Sequence, residues 1–220
     1  MNALSLFGFN PQVLSAGILA VSYVILFSEK VNRAVVAILG ASVMIFSGVL
    51  AQSDAFRGID FNTLALLIGM MTIVGISEKS GMFQYVAIWS AKKVKASPRG
   101  VLIMLALVTA FFSAFLDNVT TVLLIVPVSL LVTEKLKVSP YPFLYAEIAA
   151  SNIGGTATLI GDPPNIMIGS MVGLSFNDFL VNLAPVCIVI MLVMVLGFDF
   201  VVGRKLKASA EDRAKVMLLM

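Results

Sequence analysis

Two short polar stretches interrupt long apolar runs in this chain. The first runs from Ser113 to Thr121 (SAFLDNVTT) and the second from Ser151 to Asn165 (SNIGGTATLIGDPPN). Lipid cannot hydrogen-bond a backbone that is freed from a helix, so such stretches persist at membrane depth only inside protein or beside a water-filled cavity. Carboxylate, amide and hydroxyl groups at that depth are typical of sites that hold an ion, a proton or a small solute.

The residues expected to line this site are polar side chains and the glycines that expose the backbone. They are Asp117, Asn118, Thr120, Thr121, Asn152, Gly154, Gly155, Thr156, Thr158, Asp162 and Asn165. We expect a helix to unwind at Gly154-Gly155, although two glycines also permit close helix packing. Gly161, Pro163 and Pro164 are expected to complete the break and restart the helix, because proline suits a first helical turn.

Both stretches are expected to place a helix N-terminus near the membrane midplane, where the two stretches face each other. Asp117 or Asn118 suits the N-cap of the first helix, and Asp162 suits that of the second. Each N-terminus carries about +0.5 of a charge, so two ionised carboxylates contribute about −2 against roughly +1. The pair therefore favours a cation or a proton, and an anion fits if the carboxylates are protonated or occupied by sodium.

Composition places the whole chain in a membrane. Its 220 residues are 60% hydrophobic and 12% charged, with a mean hydropathy of +1.03. The sequence has no histidine and one cysteine, Cys187, so we expect no disulfide framework, no cysteine metal site and no cofactor. Proton chemistry would then fall to carboxylates. We expect neither an enzyme nor a nucleic-acid binder, because no nucleophile–base pair and no basic patch with aromatics occurs.

Hydropathy predicts an all-α polytopic membrane domain over residues 1–207 and a cytoplasmic tail or linker over 208–220. The expected elements are spans at 13–27, 34–51 and 61–77, a helical hairpin at 100–133, a broken helix at 141–174 and a span at 179–202. Residues 81–95 are amphipathic, with Met82, Val86 and Trp89 on one face, which is typical of a helix at the membrane interface. Ser209, three residues before Asp212, indicates a helix start in the tail.

Charge bias predicts the threading of these elements. With every basic cluster on the cytoplasmic side of the plasma membrane, the N-terminus lies outside and the C-terminus inside. The segment 100–133 must then enter and leave on one side. Its arms, about 16 and 12 residues, span roughly 24 and 18 Å, which is short of the hydrocarbon thickness. We therefore expect a re-entrant hairpin with its tip at 117–121 rather than two full crossings.

The same residues carry a family resemblance over most of the chain. The two polar stretches, with Ala146-Glu147 between them, resemble the ArsB/NhaD branch of the ion transporter superfamily. That branch includes arsenite permeases, NhaD-type sodium–proton antiporters and the melanosomal P protein, and it is distantly similar to citrate and dicarboxylate symporters. The resemblance implies two inverted repeats, each with a re-entrant hairpin and a broken helix. This chain carries the first repeat, so it is either a fragment or pairs with a second chain or a second copy.

The resemblance also implies which residues hold the transported species. Asn118, Thr120, Thr121 and the turn 152–158 would line a sodium or substrate site. The residues that would hold sodium are Asn118, Thr121, Asn152 and Thr156. Glu147 remains open between two interpretations, a proton-coupling carboxylate or an ion-pair partner of Lys135 or Lys137.

We therefore expect half of a secondary active transporter that moves a small inorganic or organic ion by alternating access, coupled to sodium or protons. A sodium–proton antiporter is one alternative, in which the aspartates exchange Na⁺ for H⁺. An accessory or truncated half that is inactive without a partner is another. The sequence does not name the ion.

Overall fold

Every regular element is helical in the part of the chain that the structure describes, residues 10–219 of this computed structural model. The α-helices are α1 Pro11–Phe27, α2 Arg33–Phe46, α3 Gln52–Arg57, α4 Phe61–Lys79, α5 Met82–Lys93, α6 Pro98–Ser113, α7 Asn118–Leu136, α8 Tyr141–Thr156, α9 Pro163–Val172, α10 Phe176–Asn182, α11 Ala184–Val201 and α12 Ala210–Met217. The expected all-α membrane class is confirmed. The extracellular N-terminus expected from charge bias falls on residues 1–9, outside the described residues.

Three of the described helical segments are long and apolar enough to cross a membrane, by length and composition. They are Phe61–Lys79, Asn118–Leu136 and Ala184–Lys205. The chain divides into two compact units, Met1–Asp60 and Phe61–Met220.

In the first unit, α1 and α2 pack against each other. Asn10 caps α1 by accepting a 3.0 Å hydrogen bond from the Gln12 backbone, and Asn32 caps α2 by accepting one of 2.9 Å from Ala34. The second helix ends at Phe46, before the expected end at residue 51. Its end precedes a turn at Gly48, whose φ of 73° is left-handed and suits glycine.

In the second unit, α5 packs against α6 and α7 and presents a small-residue face to them. Ala87, Ser90 and Ala91 are fully buried on this face. Met82 and Trp89, on the face expected to contact the membrane interface, are 43% and 47% exposed and so remain accessible to lipid. The helix that the sequence suggested for the membrane interface therefore also forms part of the packed core.

The hairpin consists of α6 and α7, which pack against each other, with the tip at 114–117. Its second arm is longer than expected at both ends, because the helix already begins at Asn118, inside the expected tip 117–121, and continues through Glu134 and Lys135 to Leu136. At 19 residues it extends about 28 Å, so the estimate of a 12-residue arm was wrong. The arm ends where Lys137 adopts a left-handed conformation.

The broken helix consists of α8 and α9, with a non-helical segment at 157–162 between them. The expected unwinding at Gly154-Gly155 is wrong, because α8 continues through both glycines to Thr156. The expected restart is confirmed, since α9 begins at Pro163 with Asp162 at its N-cap position. The structure therefore supports the other role considered for the two glycines, which is close packing between helices.

Two helices, α10 and α11, lie where one span had been expected at 179–202, and α12 follows in the tail. Pro185 at the start of α11 lacks an N–H, which fits the boundary with α10 at Leu183. The tail helix α12 packs against α5 and α7. Its expected start is confirmed, because the Ser209 hydroxyl accepts a 3.0 Å hydrogen bond from the Asp212 backbone.

Candidate functional site

The hairpin tip is built by the capping of α7. The Asp117 carboxylate accepts a 2.9 Å hydrogen bond from the Thr120 backbone N–H, so the expected cap is confirmed. The Thr121 hydroxyl donates to the Asp117 carbonyl at 3.0 Å and is buried. The tip is thus held by its own side chains, and Asn118 is free to reach another helix.

Two side-chain hydrogen bonds join the hairpin to α8 near the tip. The Asn118 amide donates to the Asn152 side-chain carbonyl at 3.0 Å, and the Ser113 hydroxyl donates to the Ser151 backbone carbonyl at 2.6 Å. The Thr156 hydroxyl, one turn after Asn152, donates to the Asn152 backbone carbonyl at 2.8 Å. Asn118, Asn152 and Thr156 therefore form one connected polar group.

The non-helical segment 157–162 is tied to the same tip. The Thr158 hydroxyl donates to the Ala114 carbonyl and accepts a 3.2 Å hydrogen bond from the Gly161 backbone. Asn165 donates to the carbonyls of Thr158 and Thr156 at 2.9 and 3.2 Å. Thr158 and Asn165 thus satisfy the backbone groups that the break leaves free, a role that the sequence did not distinguish from binding.

Glycines permit this close contact between hairpin and broken helix. A Cβ on Gly154 would lie 2.1 Å from the Ala110 carbonyl oxygen, and one on Gly161 would lie 2.5 Å from that of Ser113. A Cβ on Gly155 would lie 2.8 Å from the Gly161 carbonyl oxygen. Backbone meets backbone at these points, so any side chain would separate α8 from the hairpin.

The two expected carboxylates lie at the start of α7 and α9. Asp162 holds the N-cap position of α9, but its side chain caps no backbone N–H of that helix, unlike Asp117. Thr158, in the segment that ends at Asp162, donates a hydrogen bond to the Ala114 carbonyl, in the tip that ends at Asp117. The positive ends of two helices and two carboxylates therefore belong to one cluster.

Exposure divides the expected site residues into two groups. Asn152, Thr156 and Pro164 are exposed. Asp117 and Asp162, at the N-cap positions of α7 and α9, are partly exposed. Thr121, Gly154, Gly155, Thr158 and Gly161 are buried. Of the four residues expected to hold sodium, Asn118, Asn152 and Thr156 are joined by hydrogen bonds, whereas Thr121 packs inward.

Comparison with known proteins identifies the family of this chain. The family model CitMHS, described as citrate transporter, matches residues 23–220. The chain belongs to the citrate transporter family. The resemblance stated from the two polar stretches is confirmed.

The curated relatives that this chain matches are longer than the chain. An uncharacterized transporter of Mycobacterium bovis is 44% identical over 212 residues, which cover 94% of this chain and 49% of that protein. The P protein of Homo sapiens is 38% identical over 189 residues, 81% of this chain and 23% of its own. The magnetosome protein MamN of Paramagnetospirillum magneticum is 32% identical over 191 residues, which cover 85% of this chain and 44% of that protein. The chain thus spans about half the length, or less, of these relatives.

Glu147 lies outside the polar cluster. It belongs to α8, and its side chain is packed between α8 and α7. It is fully buried, and the Ser129 hydroxyl hydrogen-bonds its Oε1. Of the two interpretations left open for Glu147, the ion pair with Lys135 or Lys137 does not form among the described residues; Lys137 pairs with Asp212 at 3.3 Å. Ser129, Ser113 and Ser151 were missed by sequence reasoning, because a buried serine within a helix has no local signature.

Proposed function

We propose that this chain supplies one half of a secondary active transporter that moves a small anion by alternating access, coupled to sodium or protons. The observation that carries the proposal is the contact of the hairpin tip with the broken helix, through the Asn118–Asn152 and Thr158–Ala114 hydrogen bonds. Two helix N-termini thereby meet in one polar cluster, an arrangement suited to anions. The family description, citrate transporter, supports a carboxylate as the anion.

The charges of the cluster support coupling. Ionised Asp117 and Asp162 outweigh the partial charges of the two helix N-termini, so an anion is repelled until a cation neutralises the carboxylates. Sodium or protons would bind first, beside the amides of Asn118 and Asn152. The anion would then be attracted by the positive end of the α9 dipole rather than by free backbone N–H groups, because Pro163 and Pro164 have none and the Asn165 N–H is bonded to the Asp162 carbonyl at 3.0 Å.

The polar cluster has an exposed face, which supports the presence of a further part of the transporter that encloses the substrate site. Asn152 and Thr156 are exposed, although a substrate crossing a membrane must be enclosed. We infer that a second repeat covers this face, supplied by the same polypeptide, a partner chain or a second copy. Site-directed cross-linking from Thr156→Cys tests this inference, because the expected product joins Thr156 to a repeat other than this one.

Orientation is a further part of the proposal. We place the lysines at the end of α5 and the basic residues after α11 on the cytoplasmic side of the plasma membrane. Cysteines introduced at Lys93 and Lys207 should then be shielded from an impermeant maleimide in intact cells and labelled after permeabilisation.

Sodium–proton antiport is the second candidate, favoured by the two carboxylates, Asp117 and Asp162, at the starts of two helices that are joined through the hairpin tip. Two neighbouring carboxylates exchange Na⁺ for H⁺ readily, because holding both ionised without a cation is costly. An antiporter would need no organic anion at all.

Currents on solid-supported membranes separate the candidates. The intact transporter is reconstituted, and the solution is switched to NaCl or to a carboxylate such as citrate. We expect a carboxylate-dependent current that requires sodium or acid, and we expect Asp117→Asn and Asp162→Asn to abolish it. Asp54→Asn, an exposed acidic residue in α3, is the matched control. A current with NaCl alone would establish antiport instead, and full coupled flux in both aspartate variants would refute either mechanism.

A further inference from the structure

One buried carboxyl group lacks the partners that an ionised carboxylate needs. Glu147 is 0% exposed, and the Ser129 hydroxyl hydrogen-bonds one of its oxygens. The other oxygen, Oε2, is buried without a hydrogen-bond partner among the described residues. We propose that Glu147, held by Ser129, is a proton-binding site that carries the proton of the coupled transport cycle. The coupling part of this inference rests on the proposed function, whereas the binding of a proton by Glu147 does not.

No cation compensates Glu147 in this conformation. The helices that pack against α8 are α6, α7 and α11. Their titratable side chains are Arg99 on α6, Glu134 and Lys135 on α7, and Cys187 and Asp199 on α11, while α8 itself adds the exposed Tyr141 and Tyr145. Arg99 and Asp199 pair with each other, and none of these groups forms an ion pair with Glu147 among the residues described.

The neutral acid fits the observed contact. A carboxylate buried with one hydrogen bond and no counter-ion is strongly disfavoured, whereas a protonated carboxyl group is both donor and acceptor. The same Ser129–Glu147 contact forms if the Glu147 O–H donates to the Ser129 hydroxyl oxygen. The unpartnered Oε2 is then a carbonyl oxygen, which tolerates a missing partner better than a charged one.

Hydroxyl groups continue from Glu147 in both directions. Ser151, one turn further along α8, is buried; its hydroxyl donates to the Ile148 carbonyl, and its backbone carbonyl accepts a hydrogen bond from Ser113 at the end of α6. Thr133, one turn further along α7 from Ser129, is buried towards the other end of the hairpin. These groups offer hydrogen bonds to water if α7 and α8 separate, and water is what the proton needs in order to leave.

Proton release is therefore linked to a change in the packing of α7 against α8. In the packed state Glu147 holds its proton, because ionisation would leave a buried, uncompensated charge. In a state that admits water beside Ser129, the charged form becomes tolerable. A proton bound on one side of the membrane would thus be released only after the conformational change, which is the requirement for coupling.

Infrared difference spectroscopy tests proton binding without reference to transport. The intact transporter in lipid is compared with its Glu147→Gln variant, which keeps the side-chain size and removes the titratable group. We expect the wild-type spectrum to contain a carboxylic-acid C=O band at neutral pH that the variant lacks. Glu134→Gln, an exposed glutamate on α7, should leave the band unchanged. Absence of the band from the wild-type-minus-Glu147→Gln difference would overturn the proposal.

Flux measurements test the coupling. We expect Glu147→Gln to lose the acceleration of uptake by an imposed proton gradient while retaining exchange of substrate across the membrane. If the variant still responds to the gradient as the wild type does, Glu147 is a neutral structural acid and the coupling role is wrong. If the wild-type protein moves no substrate, the proposed function fails, and the infrared band still decides whether Glu147 holds a proton.

Discussion

The Asn118 side-chain amide donates a 3.0 Å hydrogen bond to the Asn152 side-chain carbonyl, which joins the second arm of the hairpin to α8 just before the break. The two residues are 34 positions apart in the chain. Both side chains remain accessible, so the bond is available to a ligand as well as to the fold.

We expect Asn118→Ala and Asn152→Ala each to weaken substrate-dependent flux, and the double variant to be little worse than either single one. The reason is that removing one partner already breaks the shared bond, whose net value is about 1 kcal/mol. A double-mutant cycle on the apparent affinity for the substrate measures this. Asn177→Ala, an exposed asparagine in α10, is the control; additive losses at 118 and 152 would show that the two amides act separately.

Gly154→Ala should be strongly destabilising. Its Cβ would lie 2.1 Å from the Ala110 carbonyl oxygen, so α6 and α8 must separate, and overpacking of this kind costs about 1–3 kcal/mol or more. Gly197→Ala in α11 is the matched control, because a Cβ there meets nothing within 4 Å. Thermal unfolding in detergent should show a lower midpoint for the first variant and an unchanged or higher one for the second. Equal midpoints would contradict the close packing.

Arg99 and Asp199 should stabilise the end of α11 as a pair. Arg99 hydrogen-bonds both carboxylate oxygens of Asp199, and the Asp199 side chain is only 8% exposed. Arg99→Ala leaves this carboxylate with Arg204 at 3.9 Å, so we expect a lower midpoint of thermal unfolding, moderated because Arg99 is half exposed.

Arg204→Ala serves as the comparison for that pair. Its contact with Asp199 is longer and Arg204 is 60% exposed, so the expected effect on the unfolding midpoint is small. A larger effect for Arg204→Ala than for Arg99→Ala would contradict the assignment of Arg99 as the main partner.

Docking of the tail helix α12 should weaken in acid. The Ser209 hydroxyl, more than Lys215 and Lys137, holds the pKa of the Asp212 carboxyl below its ordinary value, against the opposing effect of burial. The stabilisation is therefore complete above the ordinary pKa of aspartate. It is lost as the pH falls through the lowered pKa of the folded state, below about pH 4.

Hydrogen–deuterium exchange of residues 208–219 measures this docking. We expect Asp212→Asn to exchange faster than the wild type at neutral pH and to lose the acid dependence, and Ser209→Ala to cost about 1 kcal/mol of helix capping. Glu211→Gln is the control, because Glu211 is 80% exposed and its ion pair with Lys215 contributes little. An unchanged exchange rate in Asp212→Asn would refute the role of the carboxylate.

Local chemistry explains which features of the site were predictable. The cap at Asp117 and the restart at Pro163 depend on a residue and the few positions after it, so the sequence reveals them. The tail helix beginning after Ser209 follows from the same rule. The length of α7 was underestimated at both ends. Residues 118–121 were assigned to the tip, and Glu134 and Lys135 were placed beyond the helix, although charged residues are tolerated in the last helical turn.

By itself, the sequence determined that this chain is an all-α membrane protein with a helical hairpin and a helix that breaks before Pro163, because composition and local caps encode these properties. Tertiary structure alone decided that Gly154 stays helical and admits the backbone at Ala110, and that Glu147 is buried beside Ser129 rather than paired with a lysine. The physical reason is distance along the chain. Each of these contacts joins residues on different helices, and no local propensity fixes which faces of two packed helices meet.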